Sequence, residues 1–129
     1  MKLTENELSI MEVLWSADDA LLGSEIIELC KNKKWKASSI HILINSLLSK
    51  GAIKIARFEK IGKHYTRAFM PELSKEEYMV QSLDNNVELN DSVIKEMALA
   101  LIHDKKTSDE TIKVLEEMIK EEKVKRGLK

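Results

Sequence analysis

The chain has 129 residues, 43% hydrophobic and 33% charged, with 5% aromatic residues and a formal net charge of −1. That is enough for one domain, or a small domain with an appendage. No run of about 18 apolar residues occurs, which excludes a transmembrane helix, and the N-terminus has no apolar signal core, which argues against export. A single cysteine, Cys30, excludes an internal disulfide and fits a reducing cytoplasm, the expected location.

The first element is a helix over about Glu5–Ser16. Thr4 caps it, and Glu7 reaches back to complete a capping box. Leu8, Met11 and Trp15, with Leu14 alongside, fall on one face at helical spacing. Ala17-Asp18-Asp19 reads as a turn and Ala20–Leu22 as a short strand. A second helix spans roughly Ser24–Lys33, with Ile26, Ile27 and Cys30 inward. Asn32–Lys36 reads as a loop that Trp35 anchors on the helices. A third helix starts after Ser38 or Ser39 and stops at Lys50-Gly51, where glycine suits the left-handed conformation. Ile40, Leu43, Ile44 and Leu47 face the core. Ser39, His41, Ile42, Asn45, Ser46 and Ser49 are left outside.

Ala52–Phe58 and Lys63–Phe69 alternate like strands of a hairpin joined by Glu59-Lys60-Ile61-Gly62. Pro71 ends the second strand. Ser74-Lys75-Glu76-Glu77 is a second capping box, opening a helix to about Leu83, with a break at Asp84-Asn85-Asn86. Asp91 or Ser92 caps a fifth helix and Thr107–Glu110 a sixth. Lys123–Lys129 is expected to fray.

Charge is segregated. Residues 31–67 hold ten Lys/Arg against Glu59 alone, a net of +9, while residues 71–129 hold ten Lys/Arg against fourteen Asp/Glu, a net of −4. A basic segment joined to an acidic one is the footprint of a polyanion-binding half. The order helix, short strand, helix, helix, basic hairpin is that of a winged helix. The fold class expected is mainly α with a small β-sheet: a winged-helix domain over residues 1–72, then a helical dimerisation region over 73–129. The third helix, with short outer side chains, suits the major groove. Ser38, Ser39, His41, Ile42 and Asn45 are the expected base contacts. Asn45 can pair with adenine. Ile42 can touch a thymine methyl, or be an ordinary exposed or inward aliphatic. Lys50, Arg57, Lys60, Lys63, His64 and Arg67 are the expected backbone contacts. Tyr65 either packs under the hairpin, the preferred reading, or bonds a phosphate.

The last two helices are short and need their stripes buried. Val93, Ile94, Met97 and Leu101 on one, and Ile112, Leu115, Met118 and Ile119 on the other, are expected to form a homodimer interface. No catalytic motif and no metal-ligand spacing is present, and the paired acids along the helices point apart. Neither an enzyme, a metal nor a cofactor is therefore expected. The competing class is a winged-helix adaptor that binds protein instead of DNA.

T-x-x-E-x-x-I-M-x-x-L-W, from Thr4 to Trp15, resembles the first helix of the penicillinase repressor family. Trp35, the run Ile40 to Ile53, and P-x-L-S-x-E-E-Y from Pro71 to Tyr78 are similar to that family's recognition helix, wing and fourth helix. The resemblance implies a dimeric repressor that occludes a promoter by binding an inverted-repeat operator in double-stranded DNA. It departs from the family at Ser38, Ile42 and Ser46, where relatives often carry Lys, Thr and Arg. In antibiotic-responsive relatives a protease cuts after an Asn. The aligned place here is near Ala100-Leu101 and lacks that Asn, so a protease partner is doubtful. The C-x-C pairs of copper-responsive relatives are missing too.

Overall fold

The structure is a computed structural model that describes residues 1–31, 33–86 and 88–129. Asn32, in the expected loop, lies outside them. Helix α1 covers Glu5–Ser16, strand β1 Leu21–Leu22, α2 Gly23–Leu29, a 3-10 turn Ala37–Ser39, α3 Ile40–Ser49, β2 Ile53–Ile61, β3 His64–Pro71, α4 Lys75–Asn86, α5 Asp91–His103 and α6 Asp109–Lys125. The three strands form one antiparallel sheet in the order β1-β3-β2. Helices followed by a hairpin in this order make a winged helix.

The capping box at Thr4 forms as its spacing requires: Glu7 N–H donates to the Thr4 hydroxyl at 3.2 Å, and Thr4 N–H to the Glu7 carboxylate at 2.8 Å. Behind it, Ile10, Met11 and Leu14 are fully buried, against Ile26, Ile40, Ile44, Leu47 and Phe69. The inward stripe is therefore centred one position from the expected one. Leu8 and Trp15 lie at its flanks, partly buried. Trp35 does anchor its loop: the ring is buried and its Nε1–H donates to Ser9 Oγ at 2.9 Å. Cys30 is buried, its thiol directed at the Ser9 carbonyl, and burial pushes the thiol up in pKa, as befits a core residue.

Several boundaries move. Helix α2 ends at Leu29, not Lys33, because Cys30 leaves the helical region at ψ 78°. The hairpin strands are longer than expected and the turn shorter. Ile61 pairs with His64, leaving only Gly62-Lys63 between. Gly62 takes φ +61° and, among the described residues, no residue other than glycine has positive φ, so Lys63 does not, which is the pattern of a type II′ turn. A bulge between Ile55 and Arg57 inserts Ala56 into β2. Helix α4 runs through the expected break at Asp84 to Asn86. Helix α6 extends to Lys125, into the segment expected to fray. Gly127 at φ +68° and Leu128 N–H donating to Lys123 carbonyl at 2.8 Å close α6 with a Schellman motif.

The chain forms two compact units, Met1–Val87 and Glu88–Lys129. Helix α4 goes with the first unit for a physical reason. The Trp15 indole N–H donates to the Leu73 carbonyl at 2.8 Å, and its ring lies 5.9 Å from that of Tyr78. In the second unit, Asn90 caps α5, one residue before the expected cap, and Ser108 caps α6.

Among the described residues of the first unit, Glu7 is the one charged residue that is buried. Glu7, 1% exposed, also accepts from Ser46 Oγ at 2.7 Å and Lys50 Nζ at 2.6 Å. Burial alone would raise its carboxyl pKa. The Lys50 ammonium, Thr4 and Ser46 overturn that and hold it at about 2. A folded-state value below the unfolded one stabilises the fold above about pH 4.5, and that contribution is lost as pH falls toward 2. Acid unfolding of Glu7→Gln, followed by circular dichroism, should therefore lose the pH-dependent part arising from this group. At neutral pH, Glu7→Ala should cost about 2–3 kcal/mol in urea denaturation.

Candidate nucleic-acid interface

Helix α3 presents two faces. Ile40, Ile44 and Leu47 are buried, which leaves His41, Ile42 and Asn45 exposed on the opposite side. Ile42 is 72% exposed, so it is not an inward residue. Ser38 and Ser39 stand in the 3-10 turn at the head of α3. These are short or apolar side chains, so a groove wall can approach the helix closely. Ser46 behaves differently from its expected place on the outside: its hydroxyl turns to Glu7.

The hairpin projects beside this face. His41 of α3 and His64 and Arg67 of β3 line one cleft, so the structure brings together residues far apart in sequence. The cations expected on phosphates fall into two groups. Lys50 points its ammonium at Glu7 and at the Lys2 carbonyl, 3.1 Å away. Arg57 is gripped by two carboxylates, with Nη1 and Nη2 at 2.9 and 3.3 Å from Asp19 and Nη2 at 2.8 Å from Glu59. The hydrogen bonds from Arg57 lower the Asp19 carboxyl pKa, and those carboxylates raise that of Arg57. Lys60 and Lys63 lie at the hairpin end, exposed, and make no hydrogen bond or ion pair with any described residue.

Sequence reasoning missed two features here. One is the carboxylate clamp on Arg57, assembled from the turn before β1 and from β2 itself. No local pattern announces it, because Asp19 lies 38 residues away. The other is the apolar and aromatic surface of the hairpin. Phe58 is 63% and Tyr65 69% exposed. Tyr65 therefore does not pack beneath the hairpin. It sits opposite Lys60 on a stretch of β-ribbon that reaches past the helices. Among the described residues no group of His, Cys, Asp and Glu could hold a metal ion, and no helix is long and apolar enough to cross a membrane.

The clamp carries a direct expectation. Asp19→Asn removes a negative charge and releases one side of Arg57, so the variant should elute from heparin at higher salt than the parent. Unchanged elution would place the polyanion-binding surface away from the hairpin.

The comparisons with known proteins agree with this geometry. The penicillinase repressor family model matches residues 3–121, which takes in the winged helix and most of the two helices that follow. No curated protein matches the chain closely. An α3 with an open outer face, a hairpin with free cations at its end and a family match over almost the whole length converge: the chain belongs to the penicillinase repressor family, a family of DNA-binding transcriptional repressors and not of enzymes.

Proposed function

We propose that this protein is a homodimeric, sequence-specific repressor that occludes a promoter by binding an inverted repeat. The observation that carries the reading is the cleft in which His41, on the exposed face of α3, meets His64 and Arg67 of the hairpin. Helix α3 enters the major groove, with Ser38, Ser39, His41, Ile42 and Asn45 against base edges. Lys60, Lys63, His64 and Arg67 meet the sugar-phosphate backbone. Lys50 and Arg57 hold the scaffold in shape through their carboxylate partners, and Arg57 reaches phosphate only by leaving Asp19 or Glu59. Residues 1–72 carry DNA recognition, and the helices that follow carry self-association.

The dimer reading is supported by unburied apolar stripes. No residue of α5 or α6 is buried. Ile94, Leu101, Ile112, Met118 and Ile119 are exposed, while Val93, Met97 and Leu115 are half-buried. Short helices with open stripes are marginal in water until a second chain covers them. A two-fold dimer presents two α3 helices, which matches an inverted repeat. The exposed Phe58, Ile61 and Tyr65 favour a second reading, in which the hairpin docks on a protein.

A gel-shift on fragments of its own upstream region, at several salt concentrations, separates the two. A repressor loses affinity steeply with salt, and Lys60→Ala/Lys63→Ala, which removes four phosphate contacts from the dimer, should flatten the log–log slope by about 4. Asn45→Ala and Ile42→Ala should instead relax discrimination among operator variants by about 1–3 kcal/mol per base pair. A salt-independent interaction, or none with any fragment, favours the protein-docking reading. Leu101→Glu/Met118→Glu should sediment as a monomer and bind a full inverted repeat roughly 100-fold or more weakly than the parent.

A further inference from the structure

A cleft of about 440 Å³ opens between the start of α2, the first turns of α3 and the hairpin. That volume lies within the roughly 300–1,000 Å³ of small-molecule sites. Ile27, Ile40, Ile44 and Phe69 supply an apolar wall, and Arg67, His41 and His64 supply donors. No Asp or Glu lines it. The Arg67 guanidinium lies 5.2 Å from the centroid of the Phe69 ring and makes no ion pair with any described residue. An uncompensated cation over an aromatic floor, with no acid nearby, is complementary to an anion that also carries apolar surface.

Gly23 accounts for the opening. A Cβ at this position would meet Ile44 Cδ1 at 3.7 Å and Ile40 Cγ1 at 3.9 Å, ordinary contact distances. Its φ is not positive, so the backbone does not require glycine. A longer side chain at the head of α2 would extend across the apolar wall and fill the space.

We propose that this cleft binds a small amphipathic carboxylate, its apolar tail on Ile27, Ile40, Ile44 and Phe69 and its carboxylate on the Arg67 guanidinium. The planar guanidinium matches a carboxylate bidentately. The apolar wall gives a bare inorganic anion nothing to bury. A bound molecule engages His41, His64 and Arg67, the residues assigned above to DNA, so occupancy and operator binding exclude each other. That consequence rests on the proposed DNA reading, whereas the binding itself does not.

The test is titration of the isotope-labelled full chain with octanoate, with 1-octanol as the neutral counterpart, read by amide chemical shifts. Octanoate should produce saturable shifts at Gly23, Ser24, His41, Ile44 and Arg67, and octanol should bind at least about tenfold more weakly. Gly23→Leu should abolish the octanoate shifts and leave the far-ultraviolet spectrum unchanged. Arg67→Gln should equalise octanoate and octanol, which keeps the test decisive even if Gly23→Leu fails to fold. Shifts confined to α5 and α6, equal affinities in the parent, or unaltered octanoate binding in Gly23→Leu overturn the proposal. A parallel fluorescence titration asks whether octanoate releases labelled operator DNA. Binding in the cleft without release leaves the carboxylate site standing and removes α3 and the hairpin as the DNA face.

Discussion

The buried carboxylate of Glu7 joins the beginning of the first helix to the end of the third. It closes the capping box of α1 and, with the same two oxygens, takes the Ser46 hydroxyl and the Lys50 ammonium. Geometry downstream follows from that knot. With the C-terminal turn of α3 fixed, Gly51 can turn the chain at φ +75° and Ala52 enters the core. The Ala52 carbonyl then accepts from Glu72 N–H at 2.9 Å and Leu73 N–H at 3.3 Å, which holds the far end of the hairpin to its near end. Leu73 in turn receives Trp15. A charged group so placed is costly unless all its partners are in position. It therefore selects one orientation of α3 against α1, and so one direction for the exposed face of α3.

Local physics made most of the architecture readable from residues alone. The Thr4 and Ser74 capping boxes, the Gly51 stop and the alternation flanking Gly62 each act over a few residues, and each sets an element where its spacing says it should be. Trp35 and Cys30 were legible because a lone aromatic and a lone thiol at those places have few other destinations. The misplacements have one cause in common: long-range partners decide them. Phase in α1 shifts because Ile10 meets the other helices. Helix α4 joins the winged-helix unit because Trp15 holds Leu73 and packs on Tyr78. In the candidate interface, α3's exposed face was legible from periodicity, but the sorting of cations was not. Whether a lysine is free depends on carboxylates such as Glu7 and Asp19 that sit far away in sequence.

That sorting changes the electrostatic picture drawn from composition. The basic segment has a formal excess of +9, yet Lys34, Lys50, Lys54 and Arg57 each lie beside a carboxylate: Glu5, Glu7, Glu72, and the pair Asp19 and Glu59. Six cations remain without an ion pair to any described residue: Lys60, Lys63 and Arg67 on the hairpin, and Lys31, Lys33 and Lys36 in the stretch before α3. The surface pairs are weak and open readily in water. The Glu7–Lys50 pair is not of that kind, since Glu7 is enclosed. Under the proposed DNA reading, the hairpin and the stretch before α3 supply the charge, and α3 acts mainly through shape and base contacts.

The bulge in β2 has a consequence for how this hairpin can vary. Ala56 has no partner on β3, so β2 carries one residue more than its pairing uses. Phe58 and Lys60 lie with Tyr65 and Arg67, while Glu59 and Ile61 lie with His64 and Thr66. Losing that residue would keep Lys60 opposite Tyr65 and Glu59 opposite Thr66, and would remove only the local kink and extra twist of the strand. The bulge thus tolerates a change of one residue in strand length without exchanging the charges that face each other across the hairpin.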